Sequence, residues 1–451
     1  MIEITDLHKQ KIIHELIENR LEIVFHKKYD EQYEGNYELG YIPITEENIV
    51  SESMTLKQSI CDDEKLKFGG CIASEFKIQL LNTEDRMFDK TKLKNQWITV
   101  ILYQKHPIGY DLVCSDTTIC GEDTYPGEVV MTTGWYLFKG KIDSVEKSQD
   151  DPNIYEVIAY DRLATRYKKG ARGPLRRLMK NNLSTPAEIL ALCFDDSGVY
   201  DESEFTLSEY IFRNYEWEEE RNPITKGELL KNLCEVHAGF GFFDPSKNMV
   251  KLIKLQTLNE DRSNAEIYDF YESLKAEESQ TELYRQILFP YGGDLAVFQA
   301  GKSTGDKSAL YAPGDVYTDD FISEEDEDFD LENINYYEIS DNILAWDYSA
   351  PGTAVHLQKI QSIFKELEEQ QISYTPLTAV VDGRPWVEVG DNIILRTPKT
   401  NIYGEWLDEN GEVTEDINSI VYDETVSIVM SRTLKGIKAL TDEIEAKGEI
   451  E

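Results

Sequence analysis

Residues 49–82 read IVSESMTLKQSICDDEKLKFGGCIASEFKIQLLN, and this stretch decides the fold. Two runs of strand-like composition, residues 51–56 and 73–81, flank a polar segment rich in aspartate and glycine. Such a segment is typical of a sharply turned connection in an antiparallel sheet. Apolar and polar side chains alternate through residues 75–80, so one face of that strand is predicted to be buried and the other exposed to solvent.

The rest of the first third of the chain is predicted to be β-structure preceded by one helix. Residues 6–20 carry an apolar stripe at helical spacing. Four later runs are rich in β-branched and aromatic residues, and polar or Gly-containing turns separate them. These runs are residues 21–25, 97–103, 135–138 and 155–160.

An α/β unit is predicted from about residue 170 to residue 275. Thr185 and Thr225 each stand three positions before a glutamate and in front of an apolar run, which is the capping-box pattern of a helix start. Residues 241–255 are predicted to form a hairpin around the turn at residues 244–248.

Strand-like runs resume over residues 283–298 and are followed by loops. Nine acids crowd residues 319–332, which predicts an exposed loop, with calcium binding as the alternative. A helix is predicted over residues 353–371, and the sequence Asp-Glu-Asn-Gly at residues 408–411 predicts a hairpin turn.

The SES, SIC and LKFGGC elements of residues 49–82 resemble the N-terminal part of baseplate hub proteins, also called tail-associated proteins, from tailed phages and prophages of Gram-positive bacteria. This is the N-terminal hub fold of the tail-associated lysin family. Residues 378–396 and 431–448 are similar to that family's last barrel strands and closing helix, and residues 135–160 agree as well. The closing helix would carry Leu434, Ile437, Leu440 and Ile444 on its apolar face.

The resemblance implies a mainly β, multi-domain chain with α/β insertions, in which two barrel-like β domains per subunit alternate around the ring of a homotrimer. We expect a first hub barrel with an N-terminal helix at residues 1–168 and a peripheral α/β domain at residues 169–275. A peripheral β-rich domain with the acidic loop and a connecting helix would follow at residues 276–372. The second hub barrel with its C-terminal helix would then occupy residues 373–451.

The charge balance argues against a nucleic-acid binder. The chain has 46 Lys and Arg against 86 Asp and Glu, a formal net charge of -40, which repels phosphates. In a hub, DNA would pass only as cargo. No run of apolar residues approaches the roughly 20 needed to span a membrane, and no secretion signal is seen, so we expect no membrane insertion and a start in the cytosol.

Six cysteines are few for 451 residues, and no two of them have the two-residue spacing of zinc or dithiol sites. We expect reduced thiols, with a Cys61 to Cys71 or a Cys114 to Cys120 disulfide as the alternative.

A basic segment interrupts the acidic chain. Residues 162–180 contain eight Lys or Arg and no acid. This segment is either a solvated helix and linker or a site that docks onto an acidic neighbouring subunit. The candidate docking residues are Arg162, Arg166, Lys168, Lys169, Arg172, Arg176 and Arg177.

Four short motifs resemble known catalytic or ligand-binding motifs but depart from each of them at a required position. Residues 14–18 lack the second histidine of a zinc protease helix, and residues 301–303 lack the earlier glycine of a phosphate-binding loop. Residues 408–416 carry their glycine at the wrong position for a calcium loop. Residues 234–237 place Cys, Glu and His together, but on a predicted amphipathic helix where cysteine is usually a small buried residue. We therefore predict no catalytic residue, no metal and no cofactor.

The predicted function is structural: a trimeric baseplate hub that closes the distal tail tube, adapts its sixfold symmetry to a threefold tip, and forms a conduit for DNA. Its partners would be further copies of itself, distal tail or tail tube proteins, and tip, spike or fibre proteins. It would be assembled in the host cytoplasm and reside in the virion tail. The alternatives are a cell-wall peptidase or glycosidase, and a host-receptor or carbohydrate-binding module that uses Trp386 or Trp406 as a stacking platform.

Overall fold

The computed structural model describes residues 18–26, 42–44, 46–60, 68–83, 93–107, 130–167, 170–171, 173, 175, 185–194, 224–237, 239–254, 265–269, 271–276, 280–281, 284–291, 294–299, 335–338, 342, 344, 373–414, 416 and 419–450. These residues form a mainly β fold with a curled half-barrel sheet, which confirms the predicted mainly β class, while the ring of a trimer stays a prediction. The helices with described bounds are α1 (Arg162–Tyr167), α2 (Pro186–Phe194) and α3 (Lys226–Val236), and Glu46–Asn48 form a single 3₁₀ turn.

The first strands in chain order are β1 (Glu18–His26), β2 (Ile42–Ile44), β3 (Thr55–Ser59), β4 (Glu75–Leu81), β5 (Trp97–Pro107), β6 (Val130–Lys147) and β7 (Ile154–Asp161). The middle of the chain contributes β8 (Phe240–Asp244), β9 (Met249–Ile253), β10 (Glu266–Tyr268), β11 (Tyr271–Ala276), β12 (Gln280–Thr281), β13 (Tyr284–Tyr291), β14 (Asp294–Gln299) and β15 (Asn335–Glu338). The last strands are β16 (Ser373–Asp382), β17 (Asn392–Pro398), β18 (Tyr422–Lys435) and β19 (Thr441–Ile450).

One sheet of 14 strands unites the two ends of the chain. Its path runs β11-β16-β19-β18-β3-β4-β7-β6-β5-β1-β2, while β17 pairs with β18, β10 runs parallel to β17, and β12 pairs with β16. The pairing of β3 with β18 joins the strands expected in the first barrel to those expected in the second. The two expected barrels thus share a continuous backbone hydrogen-bond ladder.

The stretch at residues 49–82 forms the predicted antiparallel pair. β3 and β4 align Thr55 with Lys77 and Leu56 with Phe76. The side chains of Phe76, Ile78 and Leu80 are fully buried while their neighbours are half-exposed, as the alternation predicts. The first strand begins at Thr55 rather than at residue 51, because residues 51–54 turn toward the other end of the chain.

The predicted C-terminal helix over residues 431–448 is wrong: these residues form the β18–β19 hairpin, with Lys435 opposite Thr441. The turn contains Gly436 at a φ of 86°, a left-handed conformation that favours glycine. Along β19 the buried positions are 442, 444 and 446 and the exposed ones 443 and 445, a period of two. The helical stripe of Leu434, Ile437 and Ile444 fits this hairpin equally well, because all three are buried there.

The predicted N-terminal helix over residues 6–20 is wrong at its end. Residues 18–20 already belong to β1, which pairs with β5 from Glu18 opposite Lys105 to His26 opposite Trp97. Tertiary pairing with β5 extends the strand backward past its apolar core. The earlier part of that prediction, at residues 6–17, lies outside the described residues, as do the acidic segment 319–332 and the predicted helix 353–371.

The two capped helix starts and the hairpin predicted within residues 170–275 are confirmed. α3 starts with a capping box, in which Glu228 N donates to Thr225 Oγ1 and Thr225 N donates to Glu228 Oε2. α2 has the equivalent pair of bonds between Thr185 and Glu188. β8 and β9 form the predicted hairpin.

β10 and β11, expected at the end of the peripheral α/β domain, instead pair with the C-terminal strands β17 and β16. The four domain ranges themselves remain predictions.

Candidate functional site at the junction of the two chain ends

The SES motif connects the N-terminal strands to the C-terminal hairpin. Glu52 adopts a φ of 56°, which is uncommon for a residue with a side chain. In this conformation its carboxylate accepts hydrogen bonds from Ile437 N at 2.8 Å and from Lys438 N at 3.1 Å, in the β18–β19 turn. Gly436 N in the same turn donates to Met54 O at 3.1 Å. The motif therefore anchors a turn 385 residues away in sequence.

The FGGC motif makes a second junction, with α3 and β8. Gly69 N donates to Gly239 O, and Gly241 N donates to Gly70 O, both at 2.8 Å. A Cβ on Gly70 would lie 2.0 Å from Ile60 O, so the backbones approach too closely for any side chain. A Cβ on Gly69 would lie 2.7 Å from Lys231 O of α3, so this contact and the two hydrogen bonds dock the glycine pair on the α/β unit.

Cys71 and Cys234 meet at this junction, with 3.6 Å between their sulfurs. Both are free thiols, as is Cys193. Burial raises the pKa of the Cys234 thiol well above its ordinary value, and its neighbour Cys71 adds to the effect. The thiolate is thus disfavoured, which is the opposite of what a catalytic nucleophile requires.

The sequence neighbours of Cys234 do not supply a catalytic base either. His237 is buried with its Nδ1 at 2.7 Å from Leu233 O, and burial lowers its pKa to about 4. The carboxylate of Glu235 accepts from Asn342 Nδ2 at 2.7 Å. These three side chains therefore serve the packing between α3 and its surroundings.

A line of polar and aromatic contacts crosses from the first strands to the last. Trp386 packs on Trp135 with 5.7 Å between ring centroids. Trp135 Nε1 donates to Gln104 Oε1 at 2.9 Å, and Gln104 Nε2 donates to Asn19 Oδ1 at 3.0 Å. Asn19 Nδ2 in turn donates to Lys438 O at 3.2 Å. Trp386 is fully buried, so it is not the exposed stacking platform that was the alternative prediction.

A buried ionic cluster holds the C-terminal strands together. Arg432 on β18 pairs with Asp442 on β19, with Nε 3.3 Å from Oδ1, and its Nη2 donates to Arg384 O at 3.1 Å. Arg384 donates to Glu266 Oε1 at 2.6 Å and stacks 3.9 Å from the ring centroid of Tyr268. Burial raises the pKa of Asp442 to about 6, although Arg432 opposes this shift.

A protrusion, residues 399–421, rises from the end of β17 and returns to β18. Leu407 N donates to Lys399 O, Val421 N to Leu407 O and Lys399 N to Val421 O, which closes its base. The predicted turn at residues 408–411 is confirmed, because Gly411 N donates to Asp408 O at 3.0 Å. The exposed fractions of its large apolar side chains are Ile402 91%, Tyr403 81%, Val413 54% and Trp406 41%.

Of the seven predicted docking residues, only Arg162 has a side chain among the described residues. Arg162 is buried at the start of α1, so its guanidinium is not offered to a second subunit. The side chains of Arg166, Lys168, Lys169, Arg172, Arg176 and Arg177 lie outside the described residues, and their docking role stays a prediction.

Within the described part of the chain, no group of three or more His, Cys, Asp or Glu side chains is arranged to hold a metal ion. None of the helices in those same residues has the length and apolar character required to cross a membrane. Sequence reasoning missed Glu52 at the junction, and Arg432 and Asp442 in the C-terminal hairpin, because only the tertiary structure brings their partners near.

Comparison with known proteins gives matches among solved structures alone. No family model matches the chain, and no curated protein matches it. The tail protein from Neisseria meningitidis MC58 is 10% identical, with 95% of this chain and 96% of that chain covered at a TM-score of 0.43. The 43 kDa tail protein of prophage MuSo2 from Shewanella oneidensis is 11% identical, with 94% and 97% covered and a TM-score of 0.43.

The prophage tail protein gp18 from Listeria monocytogenes EGD-e is 10% identical, with 94% of each chain covered and a TM-score of 0.41. These structural neighbours are phage tail proteins.

Proposed function

We propose that the protein is a structural component of a phage tail, a baseplate hub that works by assembly rather than catalysis. In this proposal three copies form a ring that closes the distal tail tube, adapts its sixfold symmetry to a threefold tip, and lets DNA pass. Tail tube proteins and tip, spike or fibre proteins would bind its two faces. The motif resemblance of residues 49–82 and 378–396 supports the family, and the curled half-barrel sheet is the feature from which the ring is proposed.

The observation that carries the proposal is the shared sheet. β3 pairs with β18 over Thr55 to Ser59, and Glu52 anchors the β18–β19 turn. In this proposal the curled wall, which both ends of one chain build, would form two β-rich sectors side by side in each subunit. Three such subunits present six sectors, which is what a match between threefold and sixfold symmetry requires.

The net charge supports passage of DNA without retention. Three chains carry -120, three times -40, so the assembly repels the phosphate backbone overall. The same charge makes the subunits repel one another over long distances. The Debye length is about 10 Å at 0.1 M salt and about 3 Å at 1 M, so salt should relieve this repulsion and tighten the trimer.

The test is a mass measurement of the full chain, by mass photometry or sedimentation, with projection images by electron microscopy. We expect a species of about 156 kDa, three times the 52.0 kDa chain, that becomes more populated as salt rises. Images should show a ring with an open centre. A monomer at every concentration, or a trimer that salt dissociates, would contradict the proposal.

The same protein preparation also tests the alternative function, a cell-wall hydrolase. The chain is incubated with purified peptidoglycan and the released fragments are analysed. We expect no release above that from a heat-unfolded control. Release that persists through repeated purification would favour the cell-wall hydrolase instead.

A further inference from the structure

We infer that Cys71 and Cys234 form an oxidation site, a thiol pair that a peroxide converts into a disulfide between the FGGC motif, residues 68–71, and α3. Neither assembly nor a place in a phage tail is required for this chemistry, so the site is independent of the proposed hub. The disulfide would make covalent a junction that the reduced chain holds by packing and backbone hydrogen bonds.

The two sulfurs are already neighbours in the reduced chain. They lie 3.6 Å apart, although the two residues are 163 positions apart in sequence. A disulfide bond is about 2.0 Å long, so the sulfurs need to approach each other by roughly 1.5 Å. Rotations about the two Cα–Cβ bonds move the sulfurs over distances of this size. We therefore expect the bond to form without a rearrangement of either backbone.

A glycine of β8 leaves room for both sulfurs at one place. A Cβ on Gly241 would lie 2.5 Å from Cys71 Sγ and 3.3 Å from Cys234 Sγ, so a residue with a side chain does not fit beside the pair. The N–H of the same glycine donates to Gly70 O, next to Cys71 in the chain. The backbone of β8 thus packs against both sulfurs and keeps them adjacent.

Hydrogen bonds also fix the backbone on each side of the pair. On the side of the motif, Gly69 N donates to Gly239 O at 2.8 Å. On the side of α3, His237 N and Gly239 N both donate to Cys234 O, at 3.1 Å and 3.0 Å. Two groups that a fold holds in contact react without the entropy cost of a collision in solution. The fold therefore supplies the proximity that disulfide formation requires.

The reaction balances with one molecule of hydrogen peroxide. One sulfur, as the thiolate, attacks a peroxide oxygen; the O–O bond breaks, the sulfur becomes a sulfenic acid, and the other oxygen leaves as hydroxide, which takes up the thiol's proton as water. The second sulfur then displaces the sulfenic hydroxyl, which leaves as a second water with that sulfur's proton. The two cysteines lose two electrons, which the peroxide gains. Peroxide is also small enough to reach a buried pair when the fold opens locally.

Burial determines how fast the pair reacts. The exposed fractions of Cys71 and Cys234 are 1% and 0%, and burial raises the pKa of the Cys234 thiol. The reactive thiolate is therefore scarce, and oxidation is slow. We expect the pair to stay reduced among the thiols of a cytosol and to oxidise in the oxidising medium outside a cell.

The test is a peptide map of the full reduced chain after exposure to hydrogen peroxide and digestion with trypsin without reductant. Trypsin places Cys71 in peptide 68–77 and Cys234 in peptide 232–247, each as the only cysteine, while Cys193 of α2 falls in peptide 181–213. We expect peptides 68–77 and 232–247 joined, lighter by two hydrogen atoms than their sum, and separate again after dithiothreitol. Oxidation in urea should lower the yield of the joined peptide at least fivefold, because unfolding removes the proximity.

Unfolding in urea gives a second measurement of the same bond. The midpoint of the wild type should rise after peroxide treatment and return after dithiothreitol, because the bond closes a long loop between residues 163 positions apart. Cys234→Ala should abolish both the joined peptide and the reversible shift. The matched control, Cys193→Ala, removes another buried thiol of the α/β unit and should retain both.

Any of three outcomes overturns the site. If the wild type gives no joined peptide, with the two thiols unchanged or oxidised singly to sulfinic acid, the pair serves packing alone. If peptide 232–247 is joined to peptide 181–213 instead, the partner of Cys234 is Cys193. If the folded and the urea-unfolded chain give the same yield, the fold does not bring the pair together. None of these outcomes changes the mass of the reduced chain in solution, so the proposed hub would remain.

Discussion

Replacing Arg432 with methionine tests the buried ionic cluster and the C-terminal hairpin together. Arg432 and Asp442 are 2% and 0% exposed, so the change leaves a carboxylate buried without its cation. Breaking one side of such a pair costs about 3–5 kcal/mol. Arg432 also donates to Arg384 O, which places the expected loss of unfolding free energy in the upper half of that range.

The same variant should respond to pH in a defined direction. Burial raises the pKa of Asp442 to about 6 in the folded chain, above its ordinary 3.8, so the folded state favours the neutral acid. Without Arg432 that pKa rises further, because the cation had lowered it. Acidification from pH 8 to 5 should therefore reduce the cost of Arg432→Met, by about 1.4 kcal/mol for each unit by which the pKa of Asp442 rises in the variant.

The assay is urea unfolding of the full chain followed by tryptophan fluorescence, at both pH values. The matched control is Lys435→Met, which breaks the exposed pair between Lys435 and Glu443 in the same hairpin and should cost under about 1 kcal/mol. The double variant Arg432→Met with Asp442→Leu should recover most of the loss, since an apolar pair of similar volume often replaces a buried ion pair without cost.

Two results would refute the pairing of Arg432 with Asp442 across the hairpin. In a helix, residues 432 and 442 would be about 15 Å apart along the axis and could not pair. If Arg432→Met costs no more than Lys435→Met, or if the double variant is as unstable as the single one, the hairpin pairing and the buried cluster are both wrong.

Three further predictions concern single positions. Gly70→Ala should lower the unfolding free energy by about 1–3 kcal/mol, because its Cβ would overlap Ile60 O, whereas Gly170→Ala, with open space around it, should be near neutral in the same urea assay. Burial raises the pKa of Asp161 to about 7, so this group's contribution to stability is full below pH 4 and is lost as pH rises toward 7. Asp161→Asn should flatten that part of the stability profile, and an unchanged slope would contradict it. Cys234 should resist alkylation in the native chain and react after denaturation, because burial raises the pKa of its thiol. Peptide mass spectrometry maps the labelled cysteines, and labelling of Cys234 in the native chain would overturn its buried position.

Local patterns predicted the elements that depend on local interactions. The capping boxes at Thr185 and Thr225 and the turn at residues 408–411 bond neighbours within four residues, so their signals are complete in the sequence. The alternation along β4 predicted its buried face for the same reason. The C-terminal hairpin was missed because Leu434, Ile437 and Ile444 stand at helical spacing, whereas the period-two buried positions of β19 include the charged Asp442.

The candidate site was less predictable than the fold. The basic segment and the exposed turn were visible as charge and composition, whereas the burial of Arg162 and of Trp386 was not. Exposure depends on what packs over a side chain, and no local pattern records that. The protrusion became a candidate only when its apolar side chains proved to be exposed together.

The amino-acid sequence by itself determined a mainly β chain with a capped α/β unit, a strongly acidic balance, and motifs that resemble those of tail hubs. Only the tertiary structure decided that both chain ends share one sheet, that Glu52 anchors a turn 385 residues away, and that Arg432 needs Asp442. The physical reason is that these partners lie from 10 to 385 residues apart in sequence, beyond the reach of a helix-cap or tight-turn pattern, so the closed fold fixes them rather than any neighbouring residue.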